Sequence, residues 1–230
     1  EAGFFNRDIH LGKSLSQYRK NFLGDKKFLY LDSTPEYLYH PGTEKMLNLA
    51  YPDAKLIVLL RNPIDRAYSA WNHYRQHFES GKYIKAIKEK PRLDGSHIYA
   101  LFFQGRSVFP SFSECIEMEV ELINNNDGFE PALLRRGLYL EQLEKYWGYF
   151  KRDNILILGF RDLSENTMEI LKSIEKFYAL PEHDWGSINV TPKNKRTYQQ
   201  GIEKDDRLLL EKFYEKPNHK LFKEVGEINW

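Results

Sequence analysis

The chain has 230 residues, of which 41% are apolar and 15% are aromatic. This length suits one domain with a sizeable core, and this composition excludes a disordered chain. The formal net charge of +1 at pH 7 argues against a dedicated nucleic-acid-binding protein, because such proteins meet phosphate backbones with an excess of basic residues. No apolar run approaches the ~20 residues of a membrane-spanning helix, so we expect no membrane segment in this chain.

Short apolar runs alternate with amphipathic segments along the chain, a pattern typical of α/β proteins. Strands are predicted at residues 27–32, 55–60 and 154–160, and the run KLIVLL at 55–60 is typical of a strand buried on both faces of a parallel sheet. We therefore expect a single α/β domain over residues 1–230, with a central parallel sheet flanked by helices. The helices are predicted at residues 43–50, 64–78, 111–124, 139–150, 166–178 and 204–214.

Cys115 is the single cysteine of the chain. It lies on the apolar stripe of the predicted helix 111–124, where a small buried side chain is expected. Because one cysteine cannot form an internal disulfide, a reducing compartment is favoured, and we predict a cytoplasmic location. A Golgi lumen domain of a membrane-anchored protein is the alternative.

Residues 79–108 form the least regular stretch, which is rich in Lys, Gly and aromatic residues. An inserted loop or lid and a plain surface excursion fit this stretch equally well. The chain begins with Glu1 rather than an initiator Met, so we expect the sequence to be a fragment.

The segment around Arg61 is the most informative part of the sequence. A predicted buried strand ends at Leu60, and Asn62 and Pro63 are typical of the cap and first residue of a helix. Ligands of open α/β sheets bind at the carboxyl ends of strands, beside helix N-termini, so Arg61 lies where an anion would bind. Ser69, two turns into the helix, adds a hydroxyl donor. Taken alone, the pattern also fits a structural role, with Arg61 in a salt bridge and Ser69 in solvent.

The run LLRNPIDRAYSAWNHY at residues 59–74 closely resembles the 3'-phosphate-binding segment of sulfotransferases that use 3'-phosphoadenosine 5'-phosphosulfate, in their heparan-sulfate branch. The resemblance implies that Arg61 and Ser69 bind the 3'-phosphate of this nucleotide. It also makes His73 a candidate to assist at the sulfuryl group. An exposed or capping His73 is the alternative.

Further segments resemble the same branch in order and spacing, so the resemblance covers nearly the whole chain. They are EAGFFN at 1–6, LDSTPEY at 31–37, RGLY at 136–139 and the ending from LEKFY at 210–214 to Trp230. By the first of these matches, Glu1 is the carboxylate that accepts the proton of the attacking group. The loop KNKRTY at 193–198 matches a loop that closes over the nucleotide phosphate, which implies donor-binding roles for Lys195, Arg196 and Thr197. A solvated basic turn is the alternative there.

The sequence departs from the branch at three places. No Gly-rich loop of the K-G-G-T/S type, which cradles the 5'-phosphosulfate, occurs in the chain, and the match places that loop just upstream of Glu1. Gly3 and Asn6 stand where the branch has His and Asp. Asp32 and Ser33 stand where it has Glu and Lys. These changes leave the identity of the acceptor open.

The resemblance implies a fold similar to P-loop kinases and sulfuryl transfer from 3'-phosphoadenosine 5'-phosphosulfate, with adenosine 3',5'-bisphosphate as product. The expected acceptor is a hydroxyl or amine of a glycan-like or small molecule, and nucleic acid is not an expected partner. His73 and His77 have metal-ligand spacing, but no third ligand is apparent and we expect no metal. A kinase-like phosphotransferase and a non-catalytic nucleotide- or glycan-binding domain remain the alternatives.

Overall fold

The computed structural model describes residues 3–5, 14–22, 29–81, 102–103, 105–126, 132–187 and 201–230. Within these ranges the strands are β1 (Leu56–Leu60) and β2 (Ile155–Gly159). The helices are α1 (Leu15–Lys20), α2 (Thr43–Ala50), α3 (Pro63–Glu79), α4 (Phe112–Asn124), α5 (Tyr139–Trp147), α6 (Phe160–Glu165), α7 (Thr167–Tyr178) and α8 (Lys204–Val225). Short 3-10 turns cover Pro35–Tyr37, Arg135–Gly137, Arg152–Asn154 and Trp185–Ser187.

In the described residues, β1 and β2 pair as neighbours in a two-stranded parallel sheet. Each strand leads directly into a helix: β1 into α3 through Arg61 and Asn62, and β2 into α6 at Phe160. Because the strands are parallel, both of these junctions lie at the same edge of the sheet. The predicted α/β class with parallel pairing is confirmed.

Local sequence signals account for the starts of the two best-defined helices. The Asn62 side chain caps α3 by accepting from the backbone N–H groups of Ile64 at 3.0 Å and Asp65 at 3.3 Å. Ser111 and Glu114 form the predicted capping box of α4, in which each side chain accepts from the other's backbone N–H. No helix among the described residues is long and apolar enough to cross a membrane.

One compact unit comprises residues 1–59, 140–158 and 169–183. The Tyr178 hydroxyl of α7 donates to the carbonyl of Lys55 at 3.1 Å, and the Lys55 ammonium donates to the carbonyl of Phe177, so α7 is tied to the residue before β1. The buried apolar side chains of this unit are Phe4, Phe5, Tyr18, Leu47, Val58, Leu143, Tyr146, Phe150, Ile155 and Leu158.

The other unit comprises residues 60–139, 159–168 and 184–230, and α3 contributes several of its buried side chains. Tyr68 and Trp71 of α3 stack on each other with ring centroids 5.5 Å apart, and the Trp71 indole N–H donates to the carbonyl of Pro110 at 3.0 Å. Cys115 is fully buried, as predicted, and burial raises the pKa of its thiol. The remaining core is mainly apolar and aromatic: Ile64, Ala67, Phe102, Phe103, Phe109, Phe112, Ile116, Leu133, Leu134, Leu210 and Tyr214.

Two strand predictions need correction. Residues 29–32 of the predicted strand 27–32 belong to no strand, and residues 27–28 lie outside the described residues. The apolar side chains there stay exposed, Leu31 at 63%, and Asp32 is held by side-chain hydroxyls rather than by a neighbouring strand. Strand β1 is not buried on both faces, because Leu59 is 42% exposed.

One helix prediction also needs correction. Helix α8 continues beyond residue 214 to Val225 and passes through Pro217, since Leu221 lies on the face that already buries Leu210 and Tyr214. Helix α3 buries a polar side chain as well: Asn72 is 1% exposed, and its side-chain N–H donates to the carbonyl of Tyr68 at 3.0 Å.

Candidate functional site

The junction between β1 and α3 holds the main chain of Arg61 from two directions. The buried Tyr139 hydroxyl donates to the carbonyl of Arg61 at 2.8 Å, and Asn62 fixes the first turn of α3 on the other side. The preceding residue, Leu60, is fully buried, whereas Arg61 itself is half-buried. The side chain of Arg61 therefore starts from a rigid piece of backbone at the carboxyl end of a strand.

Phe160 lies beside Arg61, at the equivalent end of β2. The Arg61 guanidinium carbon is 5.4 Å from the centroid of the Phe160 ring, which is within cation–π range, and Phe160 is 44% exposed. The pair presents a cation and an aromatic face next to each other. Phe160 was not predicted from the sequence, although an aromatic residue directly after Gly159 at the end of a buried strand is a detectable signal.

Ser69 and His73 share one face of α3, because residues four apart in a helix are neighbours on its surface. Both side chains are half-buried. The His73 ring meets the His77 ring edge-to-face, with centroids 4.2 Å apart. In the described part of the chain, no group of three His, Cys, Asp or Glu side chains is placed to hold a metal ion.

Lys195, Arg196 and Thr197 lie outside the described residues. The first described residue after them, Gly201, accepts a hydrogen bond at its carbonyl from the Tyr68 hydroxyl of α3 at 3.1 Å. Tyr68 directly precedes Ser69 in the sequence. Gly201, three residues beyond the predicted basic loop, is therefore attached to the helix that contains Ser69 and His73.

A hydroxyl network fixes residues 3–5 in the other unit, and Glu1 lies outside the described residues. The Tyr37 hydroxyl oxygen accepts from the N–H of Phe4 at 2.9 Å, and the Thr34 hydroxyl accepts from the N–H of Gly3 at 3.1 Å. Phe4 and Phe5 are both buried. The backbone that follows Glu1 is thus held by polar and apolar contacts together.

Asp32 is the shared acceptor of this network, a role that sequence analysis missed. Its carboxylate accepts from the hydroxyls of Thr34 at 2.7 Å, Tyr37 at 2.8 Å and Tyr18 at 3.1 Å. Burial and the nearby Asp32 charge raise the pKa of Tyr18, and burial and the hydrogen bond to Asp32 raise that of Tyr37, so both hydroxyls remain protonated donors.

Glu119 of α4 is a second polar group that sequence analysis missed. It is fully buried, and its carboxylate accepts from the backbone N–H groups of Leu133 and Leu134 at 2.8 Å and of Arg135 at 3.0 Å. A detectable signal exists, because Glu119 occupies the apolar stripe defined by Phe112, Cys115 and Ile116. A carboxylate in that register must find donors inside the protein.

Comparison with known proteins decides the family. Residues 43–202 match the sulfotransferase domain model. The chain belongs to the sulfotransferase domain family. Its structure also superposes on the crystal structure of a sulfotransferase from Alicyclobacillus acidocaldarius, with a TM-score of 0.60 and 21% identity, covering 100% of this chain and 84% of that one. The structural likeness supports the sulfotransferase fold.

The curated relatives of this sulfotransferase-family chain are distant and longer. A membrane-associated sulfotransferase, kil1, of Dictyostelium discoideum is 21% identical over 96% of this chain and 58% of its own length. A bifunctional heparan sulfate N-deacetylase/N-sulfotransferase 1 of Caenorhabditis briggsae is 23% identical over 79% of this chain and 18% of its own length. Carbohydrate sulfotransferase 15 of Mus musculus is 26% identical over 66% of this chain and 25% of its own length. The chain therefore spans only part of each of these relatives.

Proposed function

We propose that this chain transfers a sulfuryl group from 3'-phosphoadenosine 5'-phosphosulfate to a hydroxyl or amine of a glycan-like or small-molecule acceptor. The observation that supports this most is the pair of Arg61 and Phe160 at the carboxyl ends of neighbouring strands. A guanidinium binds phosphate through charge-assisted hydrogen bonds, and an exposed ring offers a purine base a stacking surface. Together they suit a phosphorylated adenine nucleotide.

In this proposal Arg61 and Ser69 bind the 3'-phosphate, and Lys195, Arg196 and Thr197 close over it. The hydrogen bond between Tyr68 and Gly201 supports the second part. Thr197 is four residues from Gly201, so chain connectivity limits the distance between their Cα atoms to about 14 Å. On this basis we propose that a lysine or arginine side chain of that loop reaches the α3 surface next to Ser69.

The reaction is an in-line displacement at sulfur. The acceptor oxygen or nitrogen forms a bond to sulfur, the bond from sulfur to the 5'-phosphate oxygen breaks, and adenosine 3',5'-bisphosphate leaves with that electron pair. The acceptor's proton passes to a base, for which we propose the carboxylate of Glu1. His73 assists by donating a hydrogen bond to the sulfuryl group, where negative charge is redistributed. No step requires a metal ion.

The names of the relatives support a glycan-like acceptor, because they include heparan sulfate and carbohydrate sulfotransferases. Residues 79–108, of which 82–101 and 104 lie outside the described residues, begin at the end of the helix that contains Ser69 and His73. We propose that this stretch borders the acceptor. The lone Cys115 supports a cytoplasmic location, which fractionation of cells that express the full-length protein would test.

Calorimetry with adenosine 3',5'-bisphosphate and 5'-AMP tests the donor site. The protein should prefer the bisphosphate. Arg61→Ala should weaken bisphosphate binding by about 1.5–3 kcal/mol, because a charge-assisted contact is lost, and Ser69→Ala by ~1 kcal/mol. Arg152→Ala is a matched control, because the Arg152 guanidinium carbon also lies over an aromatic ring, 3.9 Å from the Trp147 centroid. Arg152 precedes the amino end of β2, so its loss should leave bisphosphate binding unchanged.

Equal affinity for the two nucleotides would exclude the 3'-phosphate assignment. Phosphate transfer from labelled ATP would favour the kinase-like alternative. Tight bisphosphate binding without sulfuryl transfer to any acceptor, in a chain extended upstream through a Gly-rich loop, would favour a non-catalytic binding domain.

A further inference from the structure

Glu119 directs one carboxylate at three consecutive backbone N–H groups, those of Leu133, Leu134 and Arg135. Its side chain is completely buried, so water cannot replace any of these bonds. A buried carboxyl group must find its hydrogen-bond partners inside the protein. Glu119 therefore fixes the main chain of this segment at three consecutive residues.

The same segment is packed against the start of α3. The Arg66 guanidinium donates to the carbonyl of Leu133, and the Tyr214 hydroxyl donates to the carbonyl of Leu134 at 2.7 Å. A Cβ atom on Gly137 would lie 2.7 Å from the Cβ of Pro63, the first residue of α3. Only a glycine allows so close an approach, so the position of the turn Arg135–Gly137 and that of the helix start depend on each other.

Two residues after this turn, Tyr139 reaches Arg61. Its hydroxyl donates to the carbonyl of Arg61 at 2.8 Å, and its side chain is buried. Burial raises the pKa of Tyr139, so the hydroxyl keeps its proton and remains a donor. A continuous series of contacts therefore leads from Glu119 through the turn to the backbone of Arg61.

We infer that Glu119 is a positioning residue for Arg61: through residues 133–139 and the Tyr139 hydroxyl, it sets the affinity for the 3'-phosphate of the nucleotide. The inference rests on the proposed function, because it takes Arg61 as the group that binds this phosphate. It also predicts a selective effect. Loss of Glu119 should weaken binding of a nucleotide with a 3'-phosphate and leave binding of one without it unchanged.

The test measures the ratio of affinities for adenosine 3',5'-bisphosphate and 5'-AMP by calorimetry. Glu119→Gln keeps the shape of the side chain, but its NH₂ group cannot accept a hydrogen bond where the second carboxyl oxygen did. Tyr139→Phe removes only the hydroxyl. Each should lower the ratio roughly 3- to 10-fold, as expected for the loss of one well-formed hydrogen bond. Because the two residues act in one series, the double variant should lower the ratio no further than the larger single effect.

Tyr178→Phe is the matched control. This change also removes a hydroxyl that donates to a backbone carbonyl, that of Lys55 at 3.1 Å. Lys55, however, precedes the amino end of β1, whereas Arg61 follows its carboxyl end. It should leave the ratio unchanged even if stability falls.

Equal weakening of both nucleotides, an unchanged ratio in Tyr139→Phe, or fully additive effects would each overturn the inference. If Glu119→Gln does not fold, Tyr139→Phe decides. A wild-type protein without preference for the bisphosphate would instead overturn the proposed function and the inference with it.

Discussion

Arg61 illustrates how a single residue can combine a fixed backbone with a side chain that suits a ligand. Its carbonyl is held by Tyr139, and its neighbour Asn62 caps α3. Its guanidinium lies over the Phe160 ring, which favours a planar cation over an ammonium. Lysine would keep the charge at this position but would lose the fork geometry that binds phosphate with two parallel hydrogen bonds.

Glu1 is the residue whose proposed role is easiest to separate from folding. Glu1→Gln keeps the shape of the side chain but removes the ability to accept a proton. Turnover should fall by roughly two to four orders of magnitude, the range expected for a general base, while bisphosphate affinity stays the same. Steady-state rates with a labelled sulfuryl donor measure the effect, in a chain extended upstream through the Gly-rich loop.

The exposed Glu215 of α8 provides the control, because Glu215→Gln makes the same chemical change at a solvated position. Tyr37→Phe removes the hydroxyl that accepts from the N–H of Phe4 and should lower turnover by a smaller factor. A Glu1→Gln enzyme that works within a few-fold of wild type would show that the base is another group, and His73 would be tested next.

At the scale of elements, the sequence was sufficient where the signals are local. Asn62 and Pro63 predicted the start of α3, and Ser111 with Glu114 predicted that of α4, because a cap and its donors lie within three residues of each other. The apolar run at 154–160 likewise predicted β2. The predicted site residue Arg61 depends on the same kind of signal, a strand end followed at once by a helix.

Contacts between distant parts of the chain could not be predicted in this way. The hydrogen bond from Tyr139 to Arg61 joins residues 78 positions apart, and no spacing rule covers that distance. The donors to Glu119 come from a turn beyond the end of its own helix. Asp32 was placed in a strand because its neighbours are apolar, but hydroxyls from three other residues hold it in an irregular segment.

The segment after α3 allows a test at the scale of an element. Its described end is part of the core, since Phe102 is fully buried and Phe103 is 6% exposed. Shortening should therefore remove residues only within 82–98 and keep both aromatics. We expect changed relative rates on different acceptors and unchanged bisphosphate affinity, measured by an acceptor screen and by calorimetry.

Phe102→Ala is the comparison for damage to the core, because it leaves the segment at full length. It should lower the melting temperature and leave acceptor preference as it is, since large-to-small changes in a core typically cost 3–5 kcal/mol. Unchanged rates on every acceptor after shortening would mean that residues 82–98 do not border the acceptor site.

At the scale of the whole molecule, the chain keeps the family's fold at low sequence identity. The superposed sulfotransferase structure shares 21% identity, yet it covers the entire chain. Within the unit that contains α3, buried polar groups support both the core and the candidate donor site: Glu119 and Tyr214 hold the turn that packs on Pro63. Stability and nucleotide binding should therefore respond to the same groups.

The pH dependence of stability tests this connection through Glu119. Burial raises the pKa of Glu119 to about 7, although the three backbone N–H donors and Arg66 offset part of the rise. Folding therefore favours the protonated form of Glu119. The contribution of Glu119 to the free energy of unfolding is complete below its ordinary pKa of 4.5, and it is lost as the pH rises through about 7. The slope from one proton is at most about 1.4 kcal/mol per pH unit.

Glu119→Gln does not titrate, so the comparison isolates this group. Between about pH 5 and pH 8, wild type should lose stability relative to the variant, as measured by urea midpoints at matched ionic strength. Burial raises the pKa of the neighbouring Tyr214, so its hydroxyl keeps its proton over this pH range. The other ionisable groups are common to both proteins, and their contributions cancel in the difference. A constant difference across this range would show that Glu119 stays ionised in the folded protein, held as a carboxylate by its backbone donors.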